Sequence, residues 1–121
     1  MDIWTNILKG SEKKLKKIDL NEKIEFNKEK PVKKHFVNSK GFHAALICLS
    51  KGIEIPAHPE DYAVLFTVLK GKGVFTGNEG SKILKINESF YLKKDEIRGI
   101  KAINDLVVLG IQDRSAKGGC F

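Results

Sequence analysis

The spacing of apolar and polar positions changes once along this chain. In residues 1–20, Ile3, Trp4, Ile7 and Leu8 follow i, i+3/i+4 spacing, and Leu15 and Ile18 share one side of a Lys-rich segment. That pattern predicts one or two helical turns in an amphipathic arm. From residue 23 onward the segments are short, β-prone and separated by turn residues. Strands are predicted at Lys23–Phe26, Val32–Val37, Phe42–Leu49, Ile53–His58, Tyr62–Leu69, Gly73–Thr76, Lys82–Ile86, Ser89–Leu92, Ile97–Ala102 and Leu106–Gln112. Many short strands at regular spacing, with almost no helix signal after residue 20, predict an all-β sandwich or barrel. The reading is one domain, with an arm over 1–22, a barrel over 23–113 and a tail over 114–121.

The run from Tyr62 to Leu69 constrains the packing. Side chains alternate faces along a strand. Without a bulge, Tyr62, Val64, Phe66 and Val68 share a face with His58 and Glu60, while Ala63, Leu65, Thr67 and Leu69 take the other. Both faces are largely apolar, so both need cover. One is the barrel interior. The other requires a second layer, the N-terminal arm or another subunit, and the reading favours a homodimer.

Composition narrows the function classes. The 121 residues carry a formal charge of +7, and the excess is uneven: residues 1–40 hold 11 Lys against 6 acids. Of the 22 basic residues all but Arg98 and Arg114 are Lys. Lys gives a solvated surface, whereas bidentate contacts to phosphate or bases favour Arg. A nucleic-acid arm is therefore the weakest of the readings kept. No apolar run has the length of a membrane span, and the arm has too few large apolar residues to lie on a membrane. MDIWTNILKG lacks the charged and apolar regions of a signal peptide. Cys48 lies inside an apolar run as a small buried hydrophobe, and Cys120 is next to last, so no disulfide framework is present. The expected compartment is the cytoplasm.

Residues 52–73 carry the candidate chemistry. Gly52, five residues on, leads to His58; Glu60 follows at i+2; and the apolar run closes on Gly71-Lys72-Gly73. This order resembles the first motif of the cupins, small double-stranded β-helix (jelly-roll) barrels: Gly, five residues, His-x-His, then Glu, six residues and Gly. Glu60 stands in place of the second His, and Val64 in place of the motif's Glu. In the second motif Asn87-Glu88 replaces Gly-Asp, Lys93 falls where Pro is usual, and Arg98 replaces the last His. The resemblance covers roughly residues 40–113. It implies a cupin-like barrel with a mouth lined by His58, Glu60, Arg98, Tyr62 and Phe66, and a small-molecule ligand.

The family's intact site holds a divalent metal on three imidazoles and a carboxylate. His58 and Glu60 remain as possible ligands for Fe, Mn, Ni or Zn, with His43, Gln112 and Asp113 as possible additions. The reading preferred over a metal is a metal-free site in which Glu60 and Arg98 form a charge pair, or Arg98 faces an anionic ligand. An enzyme on this frame would be an isomerase or epimerase, or with a metal a dioxygenase, with His58 or Glu60 as general base and Arg98 opposing negative charge. A non-enzymatic sensor fits equally well. His35, within KKHF, reads as a surface residue. No nucleophile–base pair and no phosphate-binding glycine loop is apparent.

Overall fold

The computed structural model describes residues 16–114. The predicted helical turns over 3–8, Leu15 and the tail with Cys120 lie outside the described residues. A 3-10 turn at Leu20–Lys23 is capped by Asp19, whose side chain accepts from the Asn21 amide. Nine strands follow: β1 (Val32–Asn38), β2 (Phe42–Leu49), β3 (Glu54–Pro59), β4 (Val64–Lys70), β5 (Gly73–Gly77), β6 (Gly80–Leu84), β7 (Ser89–Leu92), β8 (Ile97–Ala102) and β9 (Leu106–Asp113). The strand predicted at Lys23–Phe26 does not form. Its Lys23 closes the 3-10 turn, and Ile24 leaves the ladder to pack as a side chain under the sheet.

Two antiparallel sheets face each other, in the orders β1-β2-β9-β4-β7 and β3-β8-β5-β6. The all-β expectation holds, with the apolar inner faces of both sheets enclosing one core. Val64, Phe66 and Val68 point inward as their alternation requires, joined by Leu49, Phe75, Leu92, Ile100, Leu106 and Val108. Phe75 bridges the layers, with ring centroids 5.9 Å from Phe66 and 6.0 Å from Phe90. These are tilted contacts of the kind aromatic rings favour.

The second apolar face of the long sheet is covered in part by the chain itself. Leu46, Cys48 and Val107 are buried there beneath Ile24, Val32, Phe36 and Leu69. Cys48 is the small buried hydrophobe its sequence context predicts. Farther along the same face Phe42, Leu65 and Ile111 stay exposed, beside Tyr91 on the neighbouring strand. No helix among the described residues is long and apolar enough to cross a membrane.

Two departures from regular strand geometry place the site. The register of β3 against β8 slips between Ile55 and His58, a bulge that brings His58 opposite Arg98. The chain then leaves β3 at Pro59 and bends through Glu60–Ala63 before entering β4 in the other sheet. Tyr62 therefore belongs to the crossover bend and not to the strand predicted for it, because a chain changing sheets cannot hold one ladder throughout. The bulge is tight. A Cβ on Gly99 would lie 2.9 Å from both the Ala57 Cα and the Ala57 amide nitrogen. Gly99→Ala is expected to push β3 off β8 and cost about 2–3 kcal/mol. Urea unfolding measures the loss, and amide shifts concentrated at Ala57 and His58 would locate it.

Candidate ligand-binding site

The site lies where the two sheets open at the β3–β4 crossover. A cavity there is lined by hydrocarbon from Ala45, Ile47, Ile55, Val64, Phe66 and Ile100, with Lys33, His58, Glu60, Tyr62, Arg98 and Gln112 as its polar lining. The expected His58, Glu60, Arg98, Tyr62 and Phe66 thus meet around one space. The free interior is about 60 Å³. At roughly 10–15 Å³ for each water-sized group, it admits about four to six such groups.

Arg98 is buried at 4% exposure, and its guanidinium serves the backbone. Nε donates to the Glu96 carbonyl at 3.1 Å, Nη1 to the Tyr62 carbonyl at 2.9 Å, and Nη2 to the carbonyls of Lys93 at 2.9 Å and Glu96 at 2.8 Å. These bonds tie the crossover bend to the loop before β8. The Asp95 amide, donating to the Glu60 carbonyl at 2.8 Å, ties the same two segments again. The predicted Glu60–Arg98 charge pair does not form. The guanidinium fork is filled by carbonyls, and Glu60 turns to His58.

His58 and Glu60 form the pair that is present. His58 Nδ1 lies 2.7 Å from the Pro56 carbonyl oxygen, and Nε2 lies 2.9 Å from Glu60 Oε2. A carbonyl oxygen only accepts, so Nδ1 carries hydrogen and donates. Nε2 then meets the Glu60 oxygen favourably only if a second proton sits between them. The pair thus holds an imidazolium against a carboxylate, or a neutral ring against a carboxyl group. In either form neither ring nitrogen has a lone pair free.

This donor set does not fit a metal. The motif positions after His58 and Glu60 carry Val64, hydrocarbon buried in the wall, and Arg98, a cation without a lone pair. Of the added ligands considered, His43 and Gln112 are cross-strand partners on β2 and β9, while Asp113 follows Gln112 and is exposed. Among the described residues no three His, Cys, Asp or Glu side chains converge.

The mouth gathers charge that the linear sequence disperses. The Tyr62 ring lies under Arg98, 5.1 Å from the guanidinium carbon, and under Arg114, at 4.7 Å. Arg114, placed at the start of the expected tail, is buried at 5% and belongs to the barrel packing. Burial pushes the Tyr62 phenol above its ordinary range, and the nearby Glu60 charge adds to the rise. Burial also lowers the His43 imidazole, and Arg114 lowers it further. His35 is lowered by burial, then by Lys33 and His43. All three histidines and both arginines of the chain therefore lie around one end of the barrel. Arg114 is the residue that sequence spacing missed, because its position after the last strand resembled the tail. The signal available was its rarity among 22 basic residues.

No family model and no curated protein matches the sequence. Solved structures do. An RmlC-like cupin protein from Desulfovibrio desulfuricans superposes with a TM-score of 0.76 at 21% identity, covering 83% of this chain and 97% of that one. A conserved protein with a double-stranded β-helix domain from Klebsiella pneumoniae gives 0.76 at 14% identity, covering 84% and 92%. A cupin superfamily protein from Desulfitobacterium hafniense gives 0.73 at 16%, covering 81% and 90%. The chain has the cupin fold. At these identities the likeness concerns the fold, and a fold hosts many activities.

Two outcomes are expected from this geometry. Arg98→Ala leaves carbonyls of three residues without their donor, which is expected to cost about 3 kcal/mol in chemical denaturation. Arg98→Lys, unable to reproduce the fork, should recover only part of the loss. The second outcome concerns pH. His35 and His43 have lowered folded-state values, so the unfolded chain takes up their protons first as pH falls. Their contribution to stability is present above the ordinary His value of about 6.5 and is lost as pH falls through and below it. The urea midpoint should decline from pH 8 to pH 5.5, and a double His35→Asn, His43→Asn variant should decline less. Glu25, lowered by Lys34, acts in a more acidic window and leaves that comparison intact.

Proposed function

We propose that this barrel binds a small anionic molecule with a short apolar body in its mouth, without a metal ion. One observation carries the reading. Arg98 is buried beside the cavity with neutral carbonyls as its hydrogen-bond partners, and no carboxylate lies within 4.0 Å of it among the described residues. A buried cation bonded only to neutral groups leaves a positive potential in the adjoining space, which an anion lowers. Arg114 and Lys33 add to that potential, and Glu60 in the lining, with Glu96 and Asp95 behind Arg98, opposes it in part.

The cavity's size limits the ligand. Room for about four to six water-sized groups suits a short carboxylic acid and excludes full enclosure of a nucleotide. The hydrocarbon of Ile47, Ile55, Val64, Phe66 and Ile100 faces the ligand's body, with the charged groups toward the mouth. Arg98 acts here mainly through its field, since four of its donor contacts already go to the backbone. The reading is a binding or sensing module. A catalytic role would have to use the same pair, whose Glu60 keeps one oxygen outside the contact with His58.

Thermal-shift titration tests the proposal with carboxylates of two to five carbons against their neutral amides. The acids should raise the melting temperature where the amides do not, and Glu60→Gln should strengthen the acids' effect several-fold by removing the opposing charge. Equal responses to acid and amide would rule out the anion reading. Near-stoichiometric Fe, Mn, Ni or Zn in untagged protein, lost in His58→Ala, would rule out the metal-free one.

A further inference from the structure

We infer that Gln112 reads a hydroxyl group on the inner end of the ligand, so that the ligand class is a short hydroxylated acid. This inference rests on the barrel mouth being the binding site. Along β9 the inward residues are Leu106, Val108, Gly110 and Gln112, all buried. Three of the four are what a core strand requires, and the last is an amide at 2% exposure. Backbone pairing to His43 on β2 and to Val64 on β4 fixes the direction of its side chain, and the side chain lines the cavity beside the hydrocarbon wall.

Gln112 Oε1 is buried without a hydrogen-bond partner among the described residues. Leaving an amide oxygen unsatisfied in an apolar wall is unfavourable, and a hydrocarbon side chain of similar shape would avoid the cost. His58 and Arg98, two other polar groups of the lining, are already engaged. His58 donates to Pro56 and meets Glu60, and Arg98 holds the Tyr62, Lys93 and Glu96 carbonyls. The unmet demand inside the cavity is therefore for a donor, whereas the demand at its mouth is for an anion. A single small molecule answers both when it carries O–H at one end and a carboxylate at the other. An ammonium donor is disfavoured because Arg98, Arg114 and Lys33 surround the same space. A hydroxyl supplies the hydrogen without the charge.

A matched neutral pair isolates the inner contact from the anion. Butan-2-ol and butan-2-one share a skeleton and a size, but only the alcohol donates. In an NMR titration of the 15N-labelled chain, butan-2-ol should shift the Gln112 side-chain amide and the β9 and β4 amides. Its affinity should exceed that of the ketone by about tenfold, the scale of one buried hydrogen bond. In Gln112→Met, similar in length and without the acceptor, the two should bind alike. Equal binding of the pair to the wild-type chain would overturn the inference while leaving the cavity as a binding site. So would a preference for the ketone, which would mean that the amide presents its nitrogen inward. A preference that survives Gln112→Met would also overturn it. If neither compound perturbs the cavity amides, the inference and the binding site fall together. The wild-type comparison decides the matter even if the variant does not fold.

Discussion

The guanidinium of Arg98 is the constraint on which the mouth of this barrel depends. Its donors reach carbonyls in the crossover bend and in the loop before β8, two connections that each pass from one sheet to the other. Backbone carbonyls at such a junction have no ladder to join and must find donors elsewhere. One planar, always-charged fork supplies several of them at once, with a geometry that a flexible ammonium cannot reproduce. The bulge opposite Gly99 sets His58 across from the base of that fork, and Tyr62 packs against its face. The shape of the cavity follows from this one side chain.

The electrostatic character of the site follows as well. Because the fork bonds to neutral oxygens, its charge is stabilised locally without being cancelled. Arg114 repeats the arrangement on the Tyr62 ring, and His35 and His43 are lowered by burial first and by neighbouring positive groups second. Glu60 meets His58 at 2.9 Å and, with Glu96 and Asp95, offsets part of the Arg98 charge from outside hydrogen-bond reach. The result is a small apolar space with a cationic entrance and an amide acceptor in its wall. On the proposed reading, such a combination would select by polarity at both ends of a ligand, with little area to contribute affinity.

Much of the fold was legible from alternation. Val64, Phe66 and Val68 point inward as period two requires, and eight of the predicted strand regions from Val32 onward needed only small changes at their ends. β6 begins two residues earlier than predicted, at Gly80. Lys23–Phe26 misled because a short amphipathic segment reads alike whether it joins a ladder or lies across one. The site was legible as a list of residues and not as a set of partners. His58, Glu60, Arg98 and Tyr62 do converge, but complementary charge suggested a Glu60–Arg98 pair. Residue types alone could not show that a sheet crossover leaves carbonyls in greater need of the same donors. Asn87 illustrates the reverse case. It adopts φ 69°, a left-handed conformation that Asn tolerates, and it stands where the cupin motif has Gly. That substitution changes the residue and keeps the turn.

Val64 decides what a single substitution could add to the site. A carboxylate placed there would stand in a wall of hydrocarbon at 2% exposure, facing a ring whose nitrogens are engaged. A histidine placed at position 98 would release the bend and the loop before offering any coordination. Each change alone weakens the barrel. The wall residues and the amide of β9 carry no such duty toward the crossover, so they are the positions where the lining can be altered while the frame around it stays intact.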